Sequence, residues 1–154
     1  MPLKRMLGID DMRYESCDSD TSQIFTYSSV QEIPIVKEYD VVASNQAFEH
    51  LAFNEALPIA IKLAAHVKPG GVLEIGVPNP SHPVRQQSHP THITPWNYLN
   101  LCALMMLGGL EPIICARSNK RPGPRWWEKP VVSVVCNVFR MDWCDSIYVV
   151  GRKA

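Results

Sequence analysis

The stretch from Tyr39 to Asn79, YDVVASNQAFEHLAFNEALPIAIKLAAHVKPGGVLEIGVPN, decides the fold. Its apolar start predicts a short strand from Tyr39 to Ser44 that is buried on both faces of a sheet. Apolar residues then recur at intervals of three and four from Phe48 to Val67, which is typical of a helix. The prolyl-diglycyl segment Lys68 to Gly71 predicts a turn, because proline cannot continue a helix and glycine allows positive φ. A second apolar strand follows, so the stretch predicts one βαβ unit.

Three short motifs in this stretch resemble a known family. They are YDVV from Tyr39, Glu49-His50 at the start of the helix, and KPGG from Lys68. In this order and at this spacing they are similar to the second half of the class I S-adenosylmethionine-dependent methyltransferases. The resemblance extends roughly from Tyr14 to Ala154. It implies an α/β, abbreviated Rossmann-like methyltransferase fold in a single domain over residues 1–154. The sheet is expected to be mostly parallel with an antiparallel C-terminal strand, and helices are expected on both faces.

The composition is that of an ordinary globular domain. The 154 residues are 46% hydrophobic and 19% charged, and 15 basic residues balance 15 acidic ones, which gives no electrostatic argument for binding nucleic acid or a membrane surface. No apolar run is long enough for a membrane span, and the first residues do not have the pattern of a signal peptide. The five cysteines contain no CxxC pair, which favours reduced thiols and a cytoplasmic location.

The remaining elements are predicted from shorter patterns. The predicted strands are Met12 to Cys17, Ile24 to Ser28, Leu110 to Ala116 and Ser146 to Val150. A helix is expected to begin with Thr94 as its N-cap and Pro95 in its first turn. The valines of the segment from Trp126 to Met141 suggest a strand, whereas Pro130 and the apolar spacing of three and four suggest a helix. The resemblance favours a helix here, because it implies an optional helix between the last two strands.

The resemblance implies where a cofactor would bind. An acidic residue after the second family strand accepts hydrogen bonds from the ribose hydroxyls of the cofactor, and Asp18 matches that position best, followed by Asp20. The same segment also suits a solvated turn with a helix cap. Asn45, Gln46 and Glu49 follow the strand that begins at Tyr39, and in related enzymes this region lines the cofactor cleft. Glu49 equally suits the helix dipole as an acid in the first turn.

Two histidines are candidate catalytic residues. His50 follows the same strand end, where an imidazole can act as a base or simply pack on the strand ends. His92 lies in a proline-rich loop with His82 and His89, and the resemblance implies that this loop covers the active-site mouth where acceptors enter. A plain structural loop is the alternative. The spacing of His89 and His92 allows a pair of metal ligands, but no cysteine or carboxylate is near them in the sequence, so no metal site is predicted.

One diagnostic family element is absent from the sequence. None of the eight glycines forms the Gly-x-Gly-x-Gly loop that lets the backbone approach the cofactor at a helix N-terminus. If the strand ending at Cys17 is the second family strand, the central first strand is missing. Its neighbours could then pair directly, which we favour, or another chain could supply the strand. A third solution is a shortened first strand from Arg5 to Ile9.

The sequence therefore supports three hypotheses of function. The first is an active methyltransferase that uses S-adenosylmethionine and acts on an unknown acceptor. The second is a degenerate, non-catalytic methyltransferase-like module in a homo-oligomer or a larger assembly such as a viral particle, with Trp126 and Trp127 beside Arg125 as anchors. The third is that the first strand and the glycine loop are encoded upstream of Met1.

Overall fold

The structure, a computed structural model, describes residues 13–82, 89–118 and 124–154. The chain divides into two units, one up to Pro34 and one from Ile35 onward, and each is described by itself. The shortened first strand considered for Arg5 to Ile9 lies outside the described residues.

The described part of the first unit has little regular structure. It contains a 3-10 helix at Val30–Glu32 and a single parallel bridge between Cys17 and Tyr27. The predicted strand Met12 to Cys17, of which Met12 lies outside the described residues, and the predicted strand Ile24 to Ser28 are therefore reduced to one bridge among the described residues. None of residues 13–34 is buried, and an isolated pair of strands without a core is marginally stable in water.

The second unit carries the regular elements. In the described residues these are β1 (Tyr39–Asn45), α1 (Phe53–Ala65), β2 (Val67–Pro78), α2 (Tyr98–Leu107), β3 (Leu110–Ser118), α3 (Lys129–Phe139) and β4 (Ser146–Lys153). A 3-10 helix, Phe48–His50, lies between β1 and α1. The helix predicted over the ambiguous segment is present as α3. None of the described helices combines the length and the apolar character that a membrane crossing requires.

The four strands form one sheet in the order β1-β2-β4-β3. β1 and β2 are parallel, whereas β4 is antiparallel to both β2 and β3. The predicted antiparallel C-terminal strand is present, but a mostly parallel sheet is not confirmed at the level of strand pairs. The reason is that β4 is inserted between β2 and β3 and so replaces a parallel pair by two antiparallel ones.

β1 is an edge strand of this sheet, which changes two predictions. Direct pairing of β1 with a preceding strand is not part of the described sheet. Burial of β1 on both faces was also wrong, because Val41 is 61% exposed. An edge strand has one neighbour instead of two, and its side chains lose the cover that the second neighbour would supply.

The turn predicted at Lys68 to Gly71 is instead part of β2. β2 begins at Val67, opposite Tyr39, but the next pair joins Val41 to Val72. Between these two pairs the chain advances two positions along β1 but five along β2. The extra residues of β2, from Lys68 to Gly71, therefore bulge out of the ladder. Gly70 has a φ of 79°, a value that suits glycine.

The core lies between the sheet and helices α1 and α2. Leu73, Ile75 and Val77 alternate along β2 and are all buried, so they share one face of the sheet. α1 contacts β2 and α2, and α2 contacts β3 and β4. The described residue Gly151 on β4 lies against Met105 of α2, which places α2 over this same face.

Two helices begin later than their patterns predict. α1 begins at Phe53, because the chain from Phe48 forms one turn of 3-10 helix and then extends at Leu51. α2 begins at Tyr98 with Asn97 as its N-cap, whose side-chain oxygen accepts a hydrogen bond from the backbone N–H of Asn100 at 2.9 Å. The hydroxyl of Thr94, the predicted cap, bonds elsewhere.

Candidate functional site

The carboxyl end of β1 has an unusual backbone. Gln46 follows β1 directly and has a φ of 55°, a conformation that is uncommon for residues other than glycine and concentrates at functional sites. Its backbone N–H donates to the carbonyl oxygen of Gly76 on β2 at 2.8 Å. Its side-chain Nε2 is buried and has no hydrogen-bond partner among the described residues. A buried donor without a partner costs free energy, so a ligand that accepts a hydrogen bond from it would be favoured.

Asn45 lies beside Gly76 and Tyr148. The three residues stand opposite one another on β1, β2 and β4, on the face of the sheet away from α1 and α2. A Cβ on Gly76 would lie 2.8 Å from Oδ1 of Asn45 and would clash with the Tyr148 ring. The glycine therefore makes room for both side chains at the carboxyl end of the strand.

The 3-10 helix after β1 is tied to the histidine-containing loop. The indole Nε1 of Trp96 donates to the carbonyl oxygen of Phe48 at 2.8 Å. The backbone N–H groups of Ile93 and Thr94 donate to the carbonyl oxygen of Glu49 at 2.8 and 3.2 Å. The Thr94 hydroxyl donates to the carbonyl oxygen of Leu51 at 2.7 Å. These bonds hold the loop against the carboxyl end of β1.

Three histidines meet around Thr91 as a result. Nδ1 of His50 lies 3.0 Å from the carbonyl oxygen of Thr91 and 2.9 Å from its hydroxyl, and Nδ1 of His89 lies 2.7 Å from that hydroxyl. The ring of His92 lies 5.1 Å from that of His50 and 5.3 Å from that of His89, centroid to centroid. Because a carbonyl oxygen only accepts, the first contact places a proton on Nδ1 of His50.

Glu49 lies next to the rings of His50 and His92. Its side chain is 1% exposed, and its Oε1 lies 3.9 Å from Nε2 of His50. Oε2 is buried without a hydrogen-bond partner in the part of the chain that the structure describes. Burial raises the pKa of Glu49 above its ordinary value, because removal from water disfavours the ionised form. Glu49, His50 and His92 form a cluster whose candidate ligand atoms all lie within 4.8 Å of one another.

A cleft of about 560 Å³ opens at the carboxyl ends of β2 and β3. Asn79 and Arg117 lie on its wall together with Tyr98 of α2. Arg117 forms an ion pair with Asp142 at 3.2 Å, and the Tyr98 hydroxyl donates to the carbonyl oxygen of Ala116 at 2.9 Å. Clefts at the carboxyl ends of strands are the usual ligand sites of open α/β sheets.

The two acidic candidates of the first unit form a local turn. Oδ1 of Asp18 accepts from the backbone N–H of Asp20 at 3.0 Å. Asp20 in turn accepts from the backbone N–H and the hydroxyl of Ser22, both at 2.8 Å. These bonds, the hydroxyl first, lower the pKa of Asp20. The arrangement suits a solvated turn, and the ribose role of Asp18 and Asp20 stays a prediction.

The structure brings Glu49, His50 and His92 together, with Gln46 three residues before Glu49. Sequence reasoning did not single out Thr91, which bridges His50 and His89, or the cleft around Arg117. The position of Thr91 between His89 and His92 in the sequence was an indication of its bridging role. The indication of the cleft in the sequence was weaker, namely that the cation Arg117 lies near the end of an apolar strand.

Comparison with solved structures shows the fold. A SAM-dependent methyltransferase from Archaeoglobus fulgidus superposes with a TM-score of 0.69 at 13% identity, over 97% of this chain and 80% of that one. The methyltransferase complexed with the Trm112 methyltransferase activator of Haloferax volcanii gives a TM-score of 0.61 at 18% identity, over 88% of this chain and 63% of that one.

A third structure, magnesium protoporphyrin IX methyltransferase from Synechocystis with bound SAM, gives a TM-score of 0.53 at 11% identity. This chain is covered to 84% and spans 46% of that protein. No protein-family model matches the sequence, and no curated protein matches it either. The chain thus has the fold of the class I S-adenosylmethionine-dependent methyltransferases.

Proposed function

We propose that this chain is an S-adenosylmethionine-dependent methyltransferase whose acceptor is unidentified. The observation that carries the proposal is the polar group assembled at the carboxyl end of β1, from Gln46 to His50, within a fold shared with such enzymes. In open α/β sheets this end of the strands is where ligands bind.

The cofactor side of the site rests on Gln46 and Asn45. The buried Nε2 of Gln46 is a donor without a partner among the described residues, and a polar ligand would satisfy it. Bound S-adenosylmethionine would supply the methyl group for an in-line displacement, in which positioning provides most of the acceleration. The ribose role of Asp18, with Asp20 as second choice, is a separate proposal that rests on the family resemblance alone, because both residues belong to the first unit. Residues 1–154 contain no Gly-x-Gly-x-Gly loop to hold the cofactor by its backbone, so we expect weak affinity for a chain of these residues.

The acceptor side rests on His50 and His92. In the tautomer with its proton on Nδ1, His50 has its free lone pair on Nε2, 3.9 Å from Oε1 of Glu49. An imidazole of that kind can remove the proton that an acceptor loses on methylation. The loop bearing His92 is pinned to the same segment, so both rings stay at the strand end. The cleft around Tyr98 and Arg117 is proposed as the entry for the acceptor.

Calorimetry with S-adenosylmethionine and S-adenosylhomocysteine on the full chain tests the proposal. We expect 1:1 binding that is weakened about tenfold by Gln46→Met, which keeps the volume and removes the donor. Gln31→Met, at an exposed position of the first unit, is the matched control. The absence of heat at roughly 500 µM ligand, equivalent to a binding free energy weaker than about −4.5 kcal/mol, would overturn the proposal for this chain.

A second candidate function is a non-catalytic interaction module. α3 contains no buried residue, and its apolar side chains Val131, Val134, Val138 and Phe139 are 59% to 66% exposed. An exposed apolar helix face marks an interaction surface in soluble proteins, and one structural relative was solved with a protein activator. Light scattering after size-exclusion chromatography tests this. A monomer at high concentration that is unchanged by Val134→Asp counts against self-association.

A further inference from the structure

We propose that Glu49, His50 and His92 form a binding site for a divalent transition-metal ion of the Zn²⁺ type. One candidate ligand atom from each residue lies within 4.8 Å of the other two. The inference does not depend on methyl transfer, because metal binding is measured without cofactor or acceptor. It departs from the sequence-based expectation of no metal, which missed the carboxylate because Glu49 is distant from the histidine loop in sequence.

The orientation of His50 is that of a metal ligand. Its Nδ1 donates to the carbonyl oxygen of Thr91 at 3.0 Å, so in the neutral ring the nitrogen with the free lone pair is Nε2, which lies 3.9 Å from Oε1 of Glu49. Histidines that bind metals usually donate their other ring N–H to a carbonyl or a carboxylate in this way. The Thr91 hydroxyl, 2.9 Å from the same Nδ1, reinforces the orientation.

Glu49 supplies an independent argument. Its Oε2 is buried and unpartnered among the described residues, and its Oε1 stands 3.9 Å from Nε2 of His50. That distance is too long for a hydrogen bond. Two ligands of one tetrahedral ion with bonds of about 2.0 Å lie about 3.3 Å apart. The Glu49–His50 pair would therefore have to close by about 0.6 Å, and the widest pair of the cluster by at most about 1.5 Å, to seat an ion. A cation would also compensate the buried carboxylate, which is costly when left alone.

The loop that carries His92 is held in place before any ion binds. Backbone N–H groups of Ile93 and Thr94 donate to the carbonyl oxygen of Glu49, and the Thr94 hydroxyl donates to Leu51. His92 therefore directly precedes two residues that are hydrogen-bonded to the backbone of Glu49. Ligands fixed by their surroundings lose little entropy on binding, which favours affinity.

The ligand chemistry selects the class of ion. Two imidazoles and one carboxylate suit Zn²⁺, Co²⁺, Ni²⁺ or Fe²⁺, whereas Mg²⁺ and Ca²⁺ prefer sites built from oxygen alone. His50 is 39% exposed, so solvent or an acceptor can reach a further coordination position. An ion there would remove the imidazole nitrogens from acid–base chemistry and would itself lower the pKa of a bound water or acceptor hydroxyl.

The test uses the full chain without an affinity tag, stripped with a chelator that is then removed. Zn²⁺ is titrated against a chromophoric chelator, and Co²⁺ is titrated with visible absorption as the readout. We expect one equivalent to bind, and we expect Glu49→Gln, His50→Ala and His92→Ala each to weaken binding at least about tenfold. His82→Ala removes a histidine outside the cluster and is expected to leave the affinity unchanged.

Two further measurements keep the result decisive. Circular dichroism identifies a variant that does not fold, and the histidine ring resonances of the unmodified chain, followed by NMR during Zn²⁺ titration, need no variant. Shifts that include the rings of His50 and His92 support the site. Failure of Zn²⁺ to compete with the chelator, unchanged binding in all three variants, or an intense sulfur-to-Co²⁺ charge-transfer band would overturn it.

Discussion

Gly76 shows how one missing side chain organises the strand ends. Its position between Asn45 and Tyr148 leaves no room for a Cβ, which would lie 2.8 Å from Oδ1 of Asn45 and would clash with the ring of Tyr148. Both neighbours belong to different strands of the sheet. A larger residue here would therefore displace a candidate site residue as well as strain the sheet.

Gly76→Ala is expected to lower the free energy of unfolding by about 1–3 kcal/mol through overpacking. Gly70→Ala is the matched control, because no atom lies within 4 Å of its Cβ position. It should cost only the 1–2 kcal/mol of a positive φ. Urea unfolding at constant pH measures both. Equal stability of Gly76→Ala and the unmodified chain would contradict the packing argument.

Glu74 predicts a pH dependence of stability. It stands between Ala43 of β1 and Val150 of β4, and burial raises its pKa above the ordinary value. A raised carboxyl pKa means that the folded state binds the proton more tightly than the unfolded state does. The contribution of Glu74 to the free energy of unfolding therefore falls as the pH rises from the ordinary carboxyl pKa to the raised one. Glu74→Gln should therefore be more stable than the unmodified chain at pH 7, and the difference should shrink toward pH 4.

Denaturant titrations at several pH values measure the Glu74 effect. Glu38→Gln, at an exposed position, serves as the control and should show no such trend. A Glu74→Gln difference that grows as the pH falls would show that the sign is wrong.

Among the elements, α2 has a different N-cap from the one that the sequence predicts. Thr94 and Pro95 form a good helix start by pattern, yet the helix begins at Tyr98 and Asn97 caps it. The physical reason is that Thr94 is needed elsewhere, since its hydroxyl and N–H bind Leu51 and Glu49. A tertiary contact thus overrides a local preference.

Asn97→Ala is expected to cost about 1 kcal/mol, because it removes the acceptor of the Asn100 N–H at 2.9 Å. Asn97→Asp keeps an acceptor and should retain most of the stability. The comparison is made by thermal or urea unfolding. If both variants lose the same stability, the cap does not act through this hydrogen bond.

At the scale of the whole molecule, every buried apolar side chain of the described residues belongs to the second unit. The fully buried apolar side chains of the described residues run from Phe48 to Val149, whereas none of residues 13–34 is buried. A chain of residues 35–154 is therefore expected to fold with cooperative unfolding similar to that of the full chain.

Circular dichroism and thermal unfolding of the 35–154 chain check this expectation. An unfolded or aggregated product would show that the first unit is required for stability. The same variant informs the cofactor proposal, because retained folding with lost S-adenosylmethionine binding is the result expected if Asp18 or Asp20 contacts the ribose.

The candidate site was only partly predictable. Asn45, Gln46, Glu49 and His50 were identified because they follow a recognisable strand, and strand ends are where α/β folds bind ligands. The strain at Gln46 and the unpartnered Oε2 of Glu49 have no signature in the sequence. The first is held by contacts with other strands, such as the bond from the Gln46 N–H to Gly76, and the second reflects the lack of a nearby donor among the described residues.

The sequence by itself determined the second unit's order of elements, from the strand at Tyr39 to the strand at Ser146, except for α3, where the family resemblance decided between helix and strand. Hydrophobic periodicity is local, so it survives without knowledge of contacts. Only the tertiary structure decided that β1 is an edge, that β4 lies between β2 and β3, and that His92 meets Glu49 and His50. These outcomes depend on contacts between residues far apart in the chain, where each partner is chosen by packing and hydrogen bonding rather than by its neighbours in sequence.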